Sequence, residues 1–392
     1  MENFEFVSPT HFVFGRAAEE QIGQKLAAAG ATKALVHFGG KSAKASGLLD
    51  RVCAALDAAG IAYVELGGVR PNPEITLVRQ GVDLCKRENV DWIVAVGGGS
   101  VIDSAKAIAN GACIEEDVWT LFESKATGHP TLPIAVVLTI PAAGSEASKN
   151  VVISNDALGR KTGYANNDHR PKFAFMNPEL TFTLPPFQTA AGITDMYAHL
   201  LERFFDDVEA VPVTDNLNLS LMKTVRAEAP RVLVDPENYD ARANIMWAGM
   251  MAHNNSCGVG RSQDWTSHGI EHELSALYDC AHGAGLAVVM PAVFTYNLKH
   301  DVMRFAKIAV RVWGCQMDFE HPERTAKEGI EALRSFLISI GMPKNFAELG
   351  AREEDIERLA HTCCYGDVEN GTIGGFVPLN QEDVENIYRL ML

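Results

Sequence analysis

The chain has 392 residues, 47% of them hydrophobic, so it is long enough to bury a substantial core and to form two domains. Its 50 acidic residues against 34 basic ones give a formal net charge of -16, and so acidic a surface repels nucleic acid and anionic membranes. No apolar run reaches the roughly 20 residues of a membrane helix, and the first residues lack the basic start and apolar stretch of a signal peptide. We therefore expect a cytoplasmic protein that binds neither nucleic acid nor membrane.

The first half of the chain alternates strand-like and helix-like segments. Apolar and β-branched runs predict strands, and apolar residues at helical spacing predict helices between them. The predicted strands are 33–38, 62–66, 92–96 and 134–138, and the predicted helices are 48–60 and 74–89. Strand 92–96 is apolar throughout, as in strands that are buried on both faces of a sheet. The order implies right-handed crossovers and a parallel sheet covered by helices, so residues 1–184 are predicted to form an α/β domain.

The pattern changes near Leu184-Pro185-Pro186, which we take as the domain boundary. Beyond it, apolar residues recur three and four positions apart, and β-branched runs are few. The stretches with this periodicity are 213–233, 241–256, 304–314 and 324–341. Residues 185–392 are therefore predicted to form a second, all-helical domain.

A glycine-rich segment, Gly97-Gly98-Gly99-Ser100, follows strand 92–96 directly and runs into a helix-like stretch. Backbone N–H groups at such a turn, together with the helix start, can bind a phosphate, and Ser100 could cap the helix or donate to a phosphate oxygen. A tight turn with a capping serine explains the glycines equally well, since the sequence is neither G-x-G-x-x-G nor a Walker motif. Its place at the carboxyl end of a buried parallel strand favours a phosphate site for a dinucleotide, mononucleotide or sugar phosphate.

One carboxylate and several histidines in the helical half have the spacing of metal ligands. Asp195 and His199 are four residues apart, so they lie on one face of a predicted helix. His268, His272 and His282 follow close together in a chain with only 12 histidines. Three imidazoles and one carboxylate suit Zn²⁺ or Fe²⁺. Each pair alone is as typical of a solvated helix face or a core histidine, and the spacing does not decide between His272 and His282.

The same cluster also matches the H-x-x-E-H pattern of one class of metalloprotease. In that interpretation His268 and His272 bind the metal and Glu271 is the general base. It leaves the glycine-rich α/β half without a role and ignores Asp195 and His199. We therefore rank it below a nucleotide-dependent reaction at a metal centre.

Several longer motifs occur in a characteristic order. They are Asn72-Pro73, the run GGGSVIDSAK at 97–106, the run TIPAAGSE at 139–146, Asp195-x₃-His199, His268-x₃-His272 and Asp279-x₂-His282-Gly283. Over essentially its full length the chain thus resembles the iron-containing (group III) alcohol dehydrogenase family. Within it, the runs FGGKSAKASG at 38–47 and DWTSHGIEHELSALYD at 264–279 are most similar to NADPH-dependent butanol dehydrogenases and broad aldehyde reductases.

The resemblance implies a fold similar to that of dehydroquinate synthase, with an α/β dinucleotide-binding domain followed by an all-α metal-binding domain. It implies that Asp195, His199, His268 and His282 bind one divalent metal, Fe²⁺ or Zn²⁺. His272 would then lie beside the metal as the catalytic proton-relay group.

The resemblance and the glycine-rich turns together predict a cofactor site in the α/β domain. The predicted cofactor-binding residues are Gly39, Gly40, Ser42, Asn72, Gly97, Gly98, Gly99, Ser100, Asp103, Thr139 and Lys161. One position departs from the family pattern, because Ala143 stands where the family usually has a threonine. A hydroxyl that could reach the pyrophosphate is therefore missing.

The residues after the first predicted strand bear on the choice of dinucleotide. NAD enzymes usually place an acid there for the ribose 2′-OH, but no acid occurs before Asp50. Ser42, Lys41 and Lys44 could instead face a 2′-phosphate. We therefore favour NADP(H) over NAD(H).

By the resemblance, the expected reaction is hydride transfer between the dinucleotide and a small primary alcohol or aldehyde, in a homodimer. An NAD-using cyclase of the dehydroquinate synthase type is the main alternative. It would need several basic residues for a phosphorylated substrate, and Arg261 is the nearest in sequence to the cluster of His268, His272 and His282. A non-catalytic protein that binds metal and nucleotide is the other alternative.

Overall fold

The computed structural model describes residues 1–40, 42–125, 127–208, 210–365 and 371–392. They form two compact units. The α/β unit consists of Val7–Leu184 and Glu237–Met250, and the helical unit of Met1–Phe6, Pro185–Pro236 and Met251–Leu392. The predicted division into 1–184 and 185–392 does not include this exchange, in which each unit takes one short segment from the other half of the chain.

The strands of the described chain all belong to the α/β unit. They are β1 (His11–Phe14), β2 (Lys33–Phe38), β3 (Ala62–Leu66), β4 (Trp92–Gly97), β5 (Ile134–Leu138), β6 (Asn150–Asn155), β7 (Arg160–Ala165) and β8 (Phe173–Met176). Six form one sheet in the order β1-β8-β5-β4-β2-β3, and every pair in it is parallel. The predicted parallel sheet is confirmed. The strands β6 and β7 form a separate antiparallel pair.

The centre of the sheet is where the sequence is most apolar. Every residue of β4 and β5 is buried, as expected for strands covered on both faces. The edge strand β1 was not predicted from the sequence, and it packs against the exchanged segment Glu237–Met250. There the Trp247 ring meets Phe12 and Phe14 edge-on, with ring centroids 5.7 Å and 5.5 Å apart.

The helices alternate with strands in the first half and follow one another in the second. They are α1 (Ile22–Ala28), α2 (Ser42–Ala45), α3 (Leu48–Ala58), α4 (Ile75–Glu88), α5 (Gly99–Gly111), α6 (Trp119–Ser124), α7 (Pro186–Phe204), α8 (Pro212–Val234), α9 (Tyr239–His253), α10 (Thr266–Tyr278), α11 (His282–Asn297), α12 (Val302–Ile308), α13 (Pro322–Ser339), α14 (Phe346–Leu349), α15 (Ile356–Tyr365) and α16 (Gln381–Arg389). A π-helical turn, Ala309–Trp313, extends α12.

Helical periodicity predicted these elements because it marks their buried faces. In α3, for example, Leu48, Val52 and Leu56 are buried one turn apart. The helical unit is as predicted, and its described residues add only an isolated antiparallel bridge between Ile373 and Leu379. None of the described helices is both long and apolar enough to cross a bilayer.

A buried histidine in the sheet makes stability depend on pH. His37 in β2 is fully buried, with Nδ1 2.8 Å from the Leu66 carbonyl oxygen and Nε2 2.8 Å from Ser104 Oγ. Burial lowers the pKa of His37 to about 4, although the bond to Leu66 opposes the shift. The imidazole is therefore neutral in the folded protein at pH 7.

We expect the free energy of unfolding to fall as the pH falls from 6.5 towards 4. In this window the unfolded chain binds a proton at His37 that the folded chain does not, so acid favours unfolding. At about 1.4 kcal/mol per pKa unit, the contribution of His37 amounts to about 3 kcal/mol. Urea unfolding at several pH values should give a shallower dependence for His37→Gln than for wild type. Parallel curves would contradict the assignment.

Candidate metal centre and glycine-rich loop

Asp195 lies at the centre of a group of histidines from three helices. Asp195 and His199 are one turn apart on α7, His268 lies in the first turn of α10, and His282 is the first residue of α11. The Asp195 Oδ1 atom lies 3.7 Å from His199 Nδ1, 3.6 Å from His268 Nε2 and 3.7 Å from His282 Nε2. The structure thus brings the four residues of the predicted ligand set together.

The atoms that face one another in this group lack hydrogen-bond partners. Among the described residues, Asp195 Oδ1, His199 Nδ1 and His268 Nε2 are buried with no hydrogen bond. Such atoms are expensive to bury unless something binds them. Asp195, His268 and His282 also form a group whose ligand atoms all lie within 4.8 Å of one another. One carboxylate and three imidazoles fit a divalent cation such as Zn²⁺ or Fe²⁺.

Two fully buried glutamates pair with two of these imidazoles at Nδ1, the nitrogen that does not face Asp195. Glu202 pairs with His268 Nδ1 and accepts a 3.0 Å hydrogen bond from the His268 backbone N–H. Glu271 pairs with His282 Nδ1. A carboxylate on Nδ1 fixes the orientation of the ring and leaves Nε2, which faces Asp195, as the nitrogen that can bind a metal once it is deprotonated, an arrangement that increases ligand basicity.

Glu202 was not predicted from the sequence, although a signal for it exists. Asp195, His199 and Glu202 follow helical spacing along one face of α7. Glu271 was considered only as the base of a metalloprotease. That interpretation is wrong, because Glu271 is fully buried, pairs with His282 and accepts a hydrogen bond from Ser275 Oγ.

His272 lies next to the group around Asp195 but outside it. Its ring centroid is 6.3 Å from that of His268 and 5.7 Å from that of His282. It is half-buried and can form a second group with Glu271 and His282, which lacks Asp195. The geometry therefore favours His282 over His272 as the histidine that faces Asp195.

The charges around His268 bear on metal binding. Burial opposes a charge on this imidazole, but the carboxylates of Glu202 and Asp195 outweigh it and raise the pKa of His268 to about 10. Burial is also the main reason that the pKa of His199 lies well below its ordinary value. A cation that bound here would displace the proton on His268, so binding would release protons.

Two glycines allow the helices to approach one another at this point. A Cβ atom on Gly283 would lie 2.1 Å from the Ala191 carbonyl oxygen, so α11 starts in contact with the α7 backbone. A Cβ atom on Gly285 would lie 2.7 Å from the Glu271 side chain. The sequence His282-Gly283-Ala284-Gly285 therefore places His282 beside α7 and leaves room for Glu271.

We expect Gly283→Ala to displace α11 and with it His282, because a backbone carbonyl cannot move aside as a side chain can. Overpacking of this kind typically destabilises a protein by about 1–3 kcal/mol. Urea unfolding and Zn²⁺ affinity, measured by competition with a chelator, should both show the loss. Gly40→Ala is the control, since a Cβ there would meet nothing within 4 Å. Wild-type affinity in Gly283→Ala would contradict the packing argument.

The glycine-rich loop joins β4 to α5. The helix begins at Gly99 and Gly98 occupies its N-cap position, so the alternative in which Ser100 caps the helix is wrong. A Cβ on Gly97 would lie 2.4 Å from Val101 Cγ2, and one on Gly98 would lie 2.9 Å from Ile140 Cβ. Close packing therefore requires these two glycines, and the first turn of α5 offers N–H groups that have no partner within the helix.

Asp103 and Lys106, one turn apart in α5, have partners inside the protein. The Asp103 carboxylate accepts hydrogen bonds from Ser145 Oγ at 2.6 Å and from the Val152 N–H at 3.0 Å. The fully buried Lys106 ammonium donates to Ser145 Oγ at 2.7 Å and to the Asn150 carbonyl at 2.9 Å. Burial lowers the pKa of Lys106 to about 8. Both residues thus tie α5 to the segment that contains β6.

The other predicted cofactor residues gather at one edge of the sheet. Gly39, Gly40 and Ser42 follow β2, the glycine-rich loop follows β4, and Thr139 follows β5. Because β5, β4 and β2 are parallel neighbours, these segments lie at the carboxyl edge of the sheet, where ligands bind in such folds. The Thr139 N–H donates to the Gly97 carbonyl at 3.0 Å.

Three further positions complete the predicted set. Asn72 adopts a left-handed conformation, with φ of 55°, in the turn before α4. Lys161 lies on β7, where its charge acts on Asp103. Ala143 adjoins the glycine-rich loop, since a Cβ on Gly99 would lie 3.3 Å from Ala143 Cβ. Lys41 lies outside the described residues.

Comparisons with known proteins cover the chain almost from end to end. The family model "Iron-containing alcohol dehydrogenase" matches residues 9–178, and "Fe-containing alcohol dehydrogenase family, C-terminal" matches residues 189–392. The probable NADH-dependent butanol dehydrogenase 2 of Bacillus subtilis is 38% identical over 100% of both chains. The NADPH-dependent aldehyde reductase YqhD of Escherichia coli is 34% identical over 92% of both chains.

The crystal structure of NADH-dependent butanol dehydrogenase A from Thermotoga maritima superposes with a TM-score of 0.96, covering 100% of this chain and 99% of that one at 38% identity. These similarities confirm the resemblance that the motifs predicted. The chain belongs to the iron-containing alcohol dehydrogenase family.

Proposed function

We propose that this alcohol dehydrogenase transfers a hydride between NADP(H) and a small primary alcohol or aldehyde at a metal held by Asp195, His199, His268 and His282. One observation supports the ligand set above all. Asp195 Oδ1, His199 Nδ1 and His268 Nε2 face one another in the protein interior without hydrogen bonds. A divalent cation satisfies all of these atoms at once.

A bound Fe²⁺ or Zn²⁺ supplies a Lewis acid for the substrate oxygen, and the nicotinamide carries the hydride. Asp195 is the single anionic side chain in the proposed ligand set, so a divalent ion together with its direct ligands would keep net positive charge. Glu202 and Glu271 hold His268 and His282 with Nε2 turned towards Asp195. The protein's contribution is thus to orient the ligands before substrate arrives.

His272 is our candidate for the proton-relay group. It is half-buried, and its ring lies beside those of His268 and His282 without facing Asp195. An imidazole in this place can exchange protons with solvent and with a substrate oxygen near neutral pH. Its role is to deliver the proton when an aldehyde is reduced and to take it up when an alcohol is oxidised.

We propose NADP(H) as the preferred dinucleotide because of the residues that follow β2. Ser42 begins α2 and Lys44 lies within it, while no acid lies between the end of β2 and Asp50. The relatives include proteins named as NADH-dependent and as NADPH-dependent, so the preference needs its own measurement.

The test is to purify the protein without chelator, reconstitute it separately with Fe²⁺ and Zn²⁺, and follow NADPH and NADH absorbance as butanal is added. We expect metal-dependent oxidation of the cofactor, with a higher kcat/KM for NADPH. A clear preference for NADH would overturn the coenzyme assignment alone. Absence of turnover with both ions and both cofactors, despite metal binding, would overturn the proposed reaction. Light scattering of the same sample tests the proposed homodimer.

The cyclase alternative loses Arg261, the basic residue nearest in sequence to His268. Arg261 has a fully buried guanidinium, which pairs with Asp206 at 3.0 Å and with Asp215 at 2.6 Å. It therefore cannot bind a phosphorylated, carboxylated substrate. The other alternative is a protein that binds metal and nucleotide without turnover. It would bind both in the assay above but would cause no change in absorbance.

A further inference from the structure

A fifth histidine, outside the predicted ligand set, lies against the ligand group. His253 is the last residue of α9 and is 8% exposed. Its ring stacks on that of His199, with centroids 4.0 Å apart and planes inclined by 22°. This is the shortest ring-to-ring distance among the imidazoles of the described centre, and the sequence pattern gave no sign of it.

A buried arginine fixes the tautomer of His253. Arg203 lies one turn after His199 on α7 and donates from Nη1 to the His199 carbonyl oxygen at 3.1 Å. Its Nη2 lies 2.7 Å from His253 Nδ1. A guanidinium can only donate, so Nδ1 must be the acceptor, and the neutral ring carries its proton on Nε2. One arginine therefore connects the backbone of His199 to the ring that covers its side chain.

Trp265 packs against the stacked pair of His199 and His253 and against Arg203. The Arg203 guanidinium lies over the Trp265 ring, 4.7 Å from its centroid, and the same ring meets His199 and His253 edge-on at 6.0 Å each. Trp265 has a φ of 150°, a conformation that a tryptophan adopts only when its surroundings impose it. The packing around the stack therefore holds Trp265 in a strained backbone conformation.

His199 differs from the other two imidazoles in how it is oriented. His268 and His282 each have a buried glutamate on Nδ1. In the described chain, the only carboxylate paired with His199 is Asp195, which belongs to the ligand group itself. His199 is instead contacted on its face, by the stacked ring of His253, whereas the glutamates bind the Nδ1 edge of the other two rings.

We propose that His253, held in one tautomer by Arg203, is a positioning residue that fixes the ring plane of His199 for metal binding. This inference rests on the proposed function, because it takes His199 to be a ligand. The neutral ring orients His199 through its face and adds no negative charge to the centre. A bound metal would therefore be more electron-poor than if a third glutamate oriented His199.

Two substitutions separate the stacking from the hydrogen bond. His253→Asn keeps an acceptor for Arg203 but removes the ring, whereas His253→Phe keeps the ring and removes the acceptor. We expect His253→Asn to weaken Co²⁺ or Zn²⁺ affinity about 10- to 100-fold, as substitutions behind metal ligands do. We expect His253→Phe to bind metal within a few-fold of wild type. His300→Asn is the control, since His300 also contacts an aromatic ring, that of Phe376, but meets it edge-on and at the surface.

The readouts are the metal dissociation constant, from chelator competition, and the visible absorption of the Co²⁺-loaded protein. A changed Co²⁺ spectrum in His253→Asn, with a native circular dichroism spectrum, supports the inference. An affinity and spectrum in His253→Asn equal to those of wild type overturn it, as does wild-type protein that binds no metal. If wild type binds metal but turns over neither cofactor, the proposed function fails while the two variants still test the positioning role.

Discussion

Asp195→Asn is expected to lower kcat/KM for aldehyde reduction by about 10³-fold. The Asp195 carboxylate lies 3.6–3.7 Å from a nitrogen of each of the three histidines, so one substitution affects every contact of the centre. Asparagine keeps the volume but removes the only anionic side chain of the ligand set. A metal contributes several kcal/mol to the stabilisation of charge in such reactions, and about 4 kcal/mol corresponds to this factor.

The measurement is steady-state NADPH oxidation with butanal, together with the metal content of the purified variant. Asp207→Asn is the matched control, because the Asp207 side chain is 66% exposed and, within the described ranges, its one ion pair is with His300 at the surface. We expect the control to behave as wild type in both assays. An Asp195→Asn variant with full activity and full metal content would show that the centre lies elsewhere.

The second large effect concerns a buried network of ion pairs in the helical unit. Asp215 lies 2.6 Å from Arg261 and 3.2 Å from Arg304, and it also pairs with Lys307. Arg304 donates through Nε to the Phe204 carbonyl at the end of α7, 2.7 Å away. The network therefore connects the end of the helix that carries Asp195 and His199 to α8 and α12.

Asp215→Ala is expected to lower the free energy of unfolding by about 3–5 kcal/mol, since it leaves two buried guanidinium groups, Arg261 and Arg304, to share the single carboxylate of Asp206. Urea unfolding measures the loss. Glu348→Gln removes an acid from an exposed pair with Lys344 and should change stability little. If the two substitutions had equal effects, the buried network would not contribute in the way its geometry indicates.

Strands β2 to β5 and the long helices were predictable because each is defined by a local pattern. Strand β4 is a continuous apolar run, and α13 repeats apolar residues at helical spacing. Strands β1 and β8 have four residues each, too few for a period to show. The pair β6 and β7 is rich in polar residues and depends on its partner for its conformation.

The ligand group was predictable in part for the same reason. Asp195 and His199 share a helix face, which spacing reveals, but the choice between His272 and His282 depends on how α11 packs against α7. The contact of Arg203 with His253 spans 50 residues of sequence and leaves no local pattern. Residues that orient other residues are therefore the part of the centre that is hardest to predict from the sequence.

The distribution of the four proposed ligand residues over α7, α10 and α11 has a consequence for folding. An unfolded chain does not bring these three helices together, so an ion that binds all four ligands binds the folded state almost alone. Mass action then links occupancy to stability, and an ion at 100 times its dissociation constant stabilises the folded state by about 2.7 kcal/mol. With the proposed ion bound, the centre would act as a reversible cross-link between helices, and the availability of the ion would help to set how much of the enzyme stays folded.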